Sequence, residues 1–110
     1  MPIPGANDAV VPIEKVTDYL LNEDHKVGGS KAVWFIACGY QPEAPEFLID
    51  DLLTIAKTCD EFQEISFDYG VKYIAFGSVE SPTGMMCDIK TIWKLLTNET
   101  IPKFVTAYPA

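Results

Sequence analysis

The spacing of hydrophobic residues changes once along the chain, near Asp60, and this change predicts the order of the structural elements. Before Asp60, apolar residues recur every three or four positions, which is the spacing of one face of an α-helix. After Asp60, apolar and polar residues alternate, as in strands with one buried face. Helices followed by hairpin-linked strands predict an α+β fold. Two or three N-terminal helices should pack on a four-stranded antiparallel meander that runs from about residue 62 to residue 108.

Three segments in the first half carry helical spacing. Pro12 suits the first turn of a helix that ends near Leu21. Ser30 suits the N-cap of a second segment whose body, from Ala32 to Cys38, is apolar on every side; this predicts a helix that is buried all round, or a strand. A third helix begins at Pro45, and its apolar stripe consists of Leu48, Leu52, Ile55, Ala56 and Cys59.

The second half has the pattern of strands joined by tight turns. The first alternation includes Phe67, Tyr69, Val71 and Tyr73. A second alternation runs from Met85 to Leu95. Between them, Ser81-Pro82-Thr83-Gly84 has proline and glycine at the positions that a β-turn favours.

The last strand is predicted from Lys103 to Tyr108, as an edge strand closed by Pro109. Under strict alternation, Thr106 and Tyr108 share the face of Phe104. The core is expected to draw on both halves of the chain and to contain Leu20, Trp34, Phe35, Leu52, Ile55, Tyr73, Ile89 and Trp93.

Length and composition fit one globular domain over residues 1–110, with residues 1–11 as an extended lead-in. Hydrophobic residues make up 48% of the chain, which is enough for a core. We expect no membrane span and no signal peptide, because no apolar run is long enough and the N-terminus lacks the required pattern. The chain has three cysteines, an odd number, and their spacing is not that of a metal site. We therefore predict reduced, buried thiols in a cytoplasmic protein, at Cys38, Cys59 and Cys87.

Charge narrows the function classes. Sixteen acidic residues against eight lysines, with no arginine, give a net charge of −8. This balance counts against a general nucleic-acid binder and favours a basic protein as partner. It leaves room for a small local basic site formed by Lys26, Lys31 and Lys103. No Walker loop, dinucleotide glycine pattern or zinc-binding motif is present, so we predict no cofactor and no metal site.

The only histidine, His25, lies in the loop before the second predicted helix. A histidine in such a loop can act as a general acid or base. Gly28 and Gly29 would let a ligand approach the backbone, the amides that open the helix would form an anion site, and Lys31 would add positive charge. The alternative is that the two glycines only permit a tight turn, with His25 exposed or bonded to a carbonyl group.

Several motifs resemble an uncharacterised bacterial domain family that occurs as small free-standing proteins and at the C-terminal ends of polymorphic toxins and phage-associated proteins. The resemblance spans about residues 13–109 and rests on Y-L-L-N-x-x-H-x-x-G-x-S-K-A-x-x-F, Y-G-x-K-Y-x-x-x-G, S-P-T-G and P-K-F-V-T-A-Y-P. The helices-then-strands layout is similar to that of the barnase–EndoU–colicin–RelE superfamily of metal-independent nucleases. This chain has His25-Lys26 where relatives often have His-Pro, and Lys103 where they often have arginine.

The resemblance implies a site formed by His25, Lys31 and Thr106 as catalytic residues, with Tyr108 as a neighbour. Gly28, Gly29 and Lys103 complete the candidate binding residues. Two functions follow from the sequence: a nuclease-like domain that acts on RNA without a metal, or a non-catalytic, immunity-type module whose acidic surface binds a basic protein. If a site exists, we expect it where the loop from His25 to Lys31 meets the last strand.

Overall fold

A computed structural model describes residues 2–26 and 29–110 and confirms the α+β architecture with helices before strands. The helices are α1 (Ile13–Lys15, continued by a π-helical turn at Val16–Leu20), α2 (Gly29–Cys38) and α3 (Pro45–Thr58). The strands are β1 (Phe62–Phe67), β2 (Gly70–Glu80), β3 (Met86–Leu96) and β4 (Lys103–Pro109). The four strands form one antiparallel meander in the order β1-β2-β3-β4.

The core lies between the helices and one face of the sheet, as predicted. Of the eight core residues expected from the sequence, seven are buried, and the eighth, Trp34, is partly buried and packs against the core. α3 packs tightly against the sheet at Gly77, where a Cβ atom would lie 2.7 Å from Ile55 Cγ1. A side chain at this position would push the helix away from β2.

A buried polar chain crosses this face of the sheet. The Trp93 indole N–H donates to Thr91 Oγ1 (2.8 Å), and the Thr91 hydroxyl donates to the Ala75 carbonyl (2.9 Å). Trp93, Thr91 and Ala75 all have an exposure of 0%. Among the described residues, every buried side-chain nitrogen and oxygen atom has a hydrogen-bond partner, which offsets the cost of removing it from water.

Two local predictions were wrong. The second segment is a helix, but it is not buried all round, since Val33 is 57% exposed and Ala37 is also exposed. Tyr69 does not continue a strand: it lies in the turn between β1 and β2 and is 75% exposed. The turn at Asp68 and Tyr69 interrupts an alternation that looks continuous in the sequence.

The faces of the last strand also differ from the prediction, because β4 contains a β-bulge. Phe104 pairs with Trp93 and Thr106 pairs with the neighbouring residue Ile92, so Val105 is an extra residue in β4. The extra residue reverses the alternation. Thr106 and Tyr108 consequently lie on the face away from Phe104, not on the same face.

Residues 2–11 are tied to the rest of the domain. Ile3 is buried and its N–H donates to the Ala56 carbonyl (3.1 Å). Val10 pairs with the start of β4: its N–H donates to Pro102, and its carbonyl accepts the Phe104 N–H. This segment therefore covers the first part of the β4 edge.

The three cysteines are free and buried, as predicted. Within the described residues, no helix has the length and apolar character that a membrane crossing requires.

Candidate functional site

Lys31 brings together two helical segments and the last strand. Its ammonium group donates hydrogen bonds to Tyr19 Oη (2.8 Å) and Thr106 Oγ1 (3.1 Å), although Thr106 is 75 residues away in the sequence. The same nitrogen lies 3.9 Å from the centroid of the Tyr108 ring and 5.0 Å from that of Tyr19. Cation–π attraction adds to the hydrogen bonds in holding the ammonium at this position. We call Tyr19, Lys31, Thr106 and Tyr108 the lysine cluster.

His25 contacts the lysine cluster through Tyr19. The two rings meet edge to face, with centroids 4.9 Å apart and planes inclined by 84°. The backbone of the loop holds His25 in place, since its N–H donates to the Asn22 carbonyl (3.1 Å) and its carbonyl accepts the Gly29 N–H (2.9 Å). The loop thus fixes the imidazole beside the phenol that Lys31 contacts.

Tyr19 is the member of the cluster that the sequence reasoning missed. The hydrogen bond from the Lys31 ammonium lowers the pKa of the Tyr19 phenol below its ordinary value. With a lowered pKa, the phenol loses its proton more easily. Tyr19 is therefore a second group at this site, in addition to the neighbouring His25, that can exchange a proton. The available signal was its position in Y-L-L-N beside the apolar stripe of the first helix, and that position also suits an ordinary helix residue.

An open groove of about 580 Å³ lies along the cluster. Its walls come from the start of the first helix and from β4, and its lining residues are Pro12, Glu14, Lys15, Tyr19, Val105, Thr106 and Tyr108. The groove gives a ligand access to the Tyr19 and Thr106 hydroxyl groups. Its size is within the range of pockets that hold small ligands.

The other predicted binding residues have different surroundings. Lys103 forms an exposed ion pair with Glu99 (3.2 Å) at the start of β4. Gly29 uses its N–H for the His25 carbonyl, and a Cβ atom there would lie 2.6 Å from the Glu23 carbonyl oxygen. Its role in the described structure is therefore a close turn. Gly28 lies outside the described residues.

Residues 2–26 and 29–110 contain no group of three or more histidine, cysteine, aspartate or glutamate side chains placed to hold a metal ion. The chemistry available in the lysine cluster is that of an ammonium, two phenols, a hydroxyl and a nearby imidazole.

Comparison with known proteins gives a fold relative and a family. In structure, the chain is similar to a chain of a contact-dependent growth inhibition toxin–immunity protein complex from Klebsiella pneumoniae 342, with a TM-score of 0.73, 17% sequence identity and coverage of 96% of both chains. At this identity the likeness concerns the fold. No curated protein matches the sequence. The model of a domain of unknown function, DUF6883, matches residues 2–110, and the chain therefore belongs to the DUF6883 family.

Proposed function

We propose that this protein is a nuclease-like domain that cleaves RNA by internal transesterification, with the lysine cluster as its site. The observation that carries the proposal is the Lys31 ammonium, held between the oxygen atoms of Tyr19 and Thr106, two residues that line an open groove. The helices-then-strands fold and the resemblance to the barnase–EndoU–colicin–RelE superfamily support it. So does the fold relative in a toxin–immunity complex.

The proposed reaction needs one base, one acid and a group that stabilises negative charge. The ribose 2′-hydroxyl loses its proton to the base and attacks the adjacent phosphorus atom. The bond from phosphorus to the 5′-oxygen breaks, and the leaving oxygen takes a proton from the acid. The products are a 2′,3′-cyclic phosphate and a free 5′-hydroxyl, so that no water or cofactor is consumed.

Lys31 suits the stabilising role. Two hydrogen bonds and the Tyr108 ring hold its ammonium, so little rotamer freedom remains to be lost when a phosphate binds. The ammonium and the Thr106 hydroxyl together offer donors to the non-bridging oxygens, on which charge accumulates in the transition state. Preorganised donors of this kind typically contribute about 10²–10³ in rate.

His25 and Tyr19 suit the acid–base roles. Both side chains can exchange protons, their rings are in contact, and Tyr19 lines the groove. The lowered pKa of Tyr19 favours it as the group that accepts a proton while Lys31 remains charged. His25 then donates to the leaving oxygen.

The test is cleavage of a short unstructured RNA at low salt in the presence of a chelator. Wild type should release a fragment that ends in a 2′,3′-cyclic phosphate, identified by mass. His25→Ala, Tyr19→Phe and Lys31→Met should each lower kcat by about 10²-fold or more. Lys57→Met, which removes the same charge from the exposed end of α3, is the matched control and should cleave like wild type.

The same RNA with a 2′-deoxy substitution at the cut site should resist cleavage, because the attacking hydroxyl is absent. Wild type that neither binds nor cuts RNA at low salt would refute the nuclease proposal. Cleavage that the His25, Tyr19 and Lys31 variants leave unchanged would place the site elsewhere.

A second candidate, a non-catalytic module that binds a basic protein, is favoured by the acidic side of the molecule. Exposed carboxylates surround α3, at Glu43, Glu46, Asp50, Asp60 and Glu61, and the net charge is −8. The protein complex in which the fold relative occurs is consistent with a protein partner. This candidate predicts salt-sensitive binding of a basic partner that Glu46→Gln/Asp50→Asn weakens and Lys31→Met does not.

A further inference from the structure

The face of the sheet that points away from the helices carries a row of three directly opposed lysines. Lys72 of β2 pairs with Lys94 of β3, which in turn pairs with Lys103 of β4. Two inter-strand spacings separate the ends of this row, or roughly 10 Å. Half of the eight basic residues of an otherwise acidic chain lie on this face, since Lys90 lies there as well. We call these four residues the lysine face.

Opposed like charges destabilise a sheet, so the row has an electrostatic cost in the free protein. Among the described residues, only Lys103 of the row has an ion-pair partner, Glu99. An anion placed across the row would remove the repulsion and gain attraction from each ammonium. The lysine row therefore favours binding of a polyanionic chain or surface.

A second row on the same face carries aromatic rings. Phe76 pairs with Lys90, which pairs with Tyr108. The Phe76 side chain is 51% exposed and that of Tyr108 is 38% exposed. Lys90 and Lys94 are four residues apart on one strand, so the aromatic row lies about 13 Å from the lysine row. Ile74 and Ile92 pair with each other in the row between them.

Tyr108 joins this face to the lysine cluster. Its ring has the Lys31 nitrogen 3.9 Å from its centroid and the Lys90 nitrogen at 5.6 Å. A chain that lies across the sheet from the lysine row can therefore reach the groove by way of Lys90 and the Tyr108 ring.

We infer that the open face of the sheet binds single-stranded nucleic acid, with the phosphates along Lys72, Lys94 and Lys103 and the bases against Phe76 and Tyr108. Flat sheet faces with exposed aromatic side chains suit unpaired bases, because the bases can stack on the rings while the backbone follows the cations. The carboxylates of an acidic protein would pair with the lysines but would not stack on the aromatic rings. That the natural ligand is RNA rests on the proposed function. The inference adds the path along which the RNA strand reaches the site.

The test measures binding of a fluorescent oligothymidylate, which lacks the 2′-hydroxyl and cannot be cleaved by the proposed reaction. In wild type, the logarithm of affinity should fall with the logarithm of salt concentration with a slope of about −2, since each phosphate contact to a single strand contributes about −0.7. Lys72→Gln/Lys94→Gln should reduce that slope by about 1.4 and weaken binding by about tenfold at low salt. Phe76→Ala should weaken binding about tenfold through lost stacking with little change in slope.

Lys57→Gln is the matched control for charge, because this exposed lysine lies at the end of α3 and outside the lysine face. It should bind like wild type. Circular dichroism should give native spectra for all four proteins, since every substituted side chain lies on the surface.

Three results would overturn the inference. The first is wild type that does not bind oligothymidylate at low salt, and the second is a double lysine variant that binds as well as wild type does. The third is a dependence on the lysines without any dependence on Phe76, with equal affinity for polyglutamate; this result would assign the face to an acidic protein.

The failure of this inference can be told apart from the failure of the proposed function. Lys31→Met should lose RNA cleavage and keep most of its oligothymidylate binding, whereas the double lysine variant should raise KM for RNA more than it lowers kcat. If wild type binds oligothymidylate through the lysine row but cuts no RNA, the proposed binding face is supported and the proposed nuclease function is refuted.

Discussion

The buried chain from Trp93 through Thr91 to Ala75 allows a quantitative test of the sheet. Thr91→Val replaces the hydroxyl with a methyl group of similar size, so it opens no cavity. It leaves the Trp93 indole N–H without its acceptor, which costs about 1–3 kcal/mol in a site excluded from water. The Ala75 carbonyl loses a donor, which adds about 0.5–1.5 kcal/mol. We expect Thr91→Val to lower the free energy of unfolding by about 2–4 kcal/mol.

Urea unfolding followed by circular dichroism measures this change. With a urea m-value of about 2 kcal/mol/M, the midpoint should fall by roughly 1–2 M at an unchanged slope. Thr54→Val is the control, since the Thr54 hydroxyl bonds to a backbone carbonyl on the exposed side of α3. It should stay within about 0.5 kcal/mol of wild type.

A double-mutant cycle isolates the indole contribution. Trp93→Phe removes the N–H donor and creates a cavity of its own, and Thr91→Val should then cost about 1–2 kcal/mol less in that background than in wild type. A Thr91→Val variant as stable as wild type would show that the chain of hydrogen bonds does not stabilise the fold. Zero coupling in the cycle would mean that the indole is not the group left unsatisfied.

Three further outcomes test the site and the packing. In an ultraviolet titration, Tyr19 should ionise below the ordinary pKa of tyrosine, near 10, and Lys31→Met should raise the pKa of Tyr19. A pKa that is lower in the folded than in the unfolded protein means that folding favours the ionised phenol. The difference in stability between wild type and the variant should therefore grow as pH rises from the folded pKa towards 10. Gly77→Ala should destabilise by about 1–3 kcal/mol through its clash with the two γ-carbons of Ile55, and it should cost less in an Ile55→Ala background, which lacks those carbons, as measured by urea unfolding. Burial raises the pKa of Cys38 to about 12, so its thiol should react with a disulfide reagent at mildly alkaline pH only after denaturation; rapid labelling of the native protein would contradict its burial.

The sequence allowed the element order to be predicted because that order depends on local periodicity. Pro45 begins α3 as expected, and the change of period at Asp60 falls between the last helix and the first strand. The turn at Tyr69 was missed because its residues happen to continue the alternation of their neighbours. Periodicity reports which residues can be buried, and an aromatic residue in a turn gives the same signal as one in a strand.

The candidate site was predictable only in part. The resemblance named Lys31 and Thr106, and the structure places their side chains 3.1 Å apart. The bulge at Val105, which decides the face of Thr106, has no marker in the residue types around it. Tyr19 was missed for a similar reason: its role depends on which element packs beside the first helix, and that is a tertiary contact.

The attachment of residues 3–10 has a consequence for the order of folding. Ile3 bonds to Ala56, and Val10 bonds to Phe104, more than ninety residues further along the chain. During synthesis these early residues leave the ribosome long before β4 exists, so they wait without a docking place until the last strand has formed. Contacts of such long sequence separation form late, because the chain between them must first be ordered. Pulse-labelled hydrogen exchange should therefore protect the Val10 amide after those of the β2–β3 hairpin.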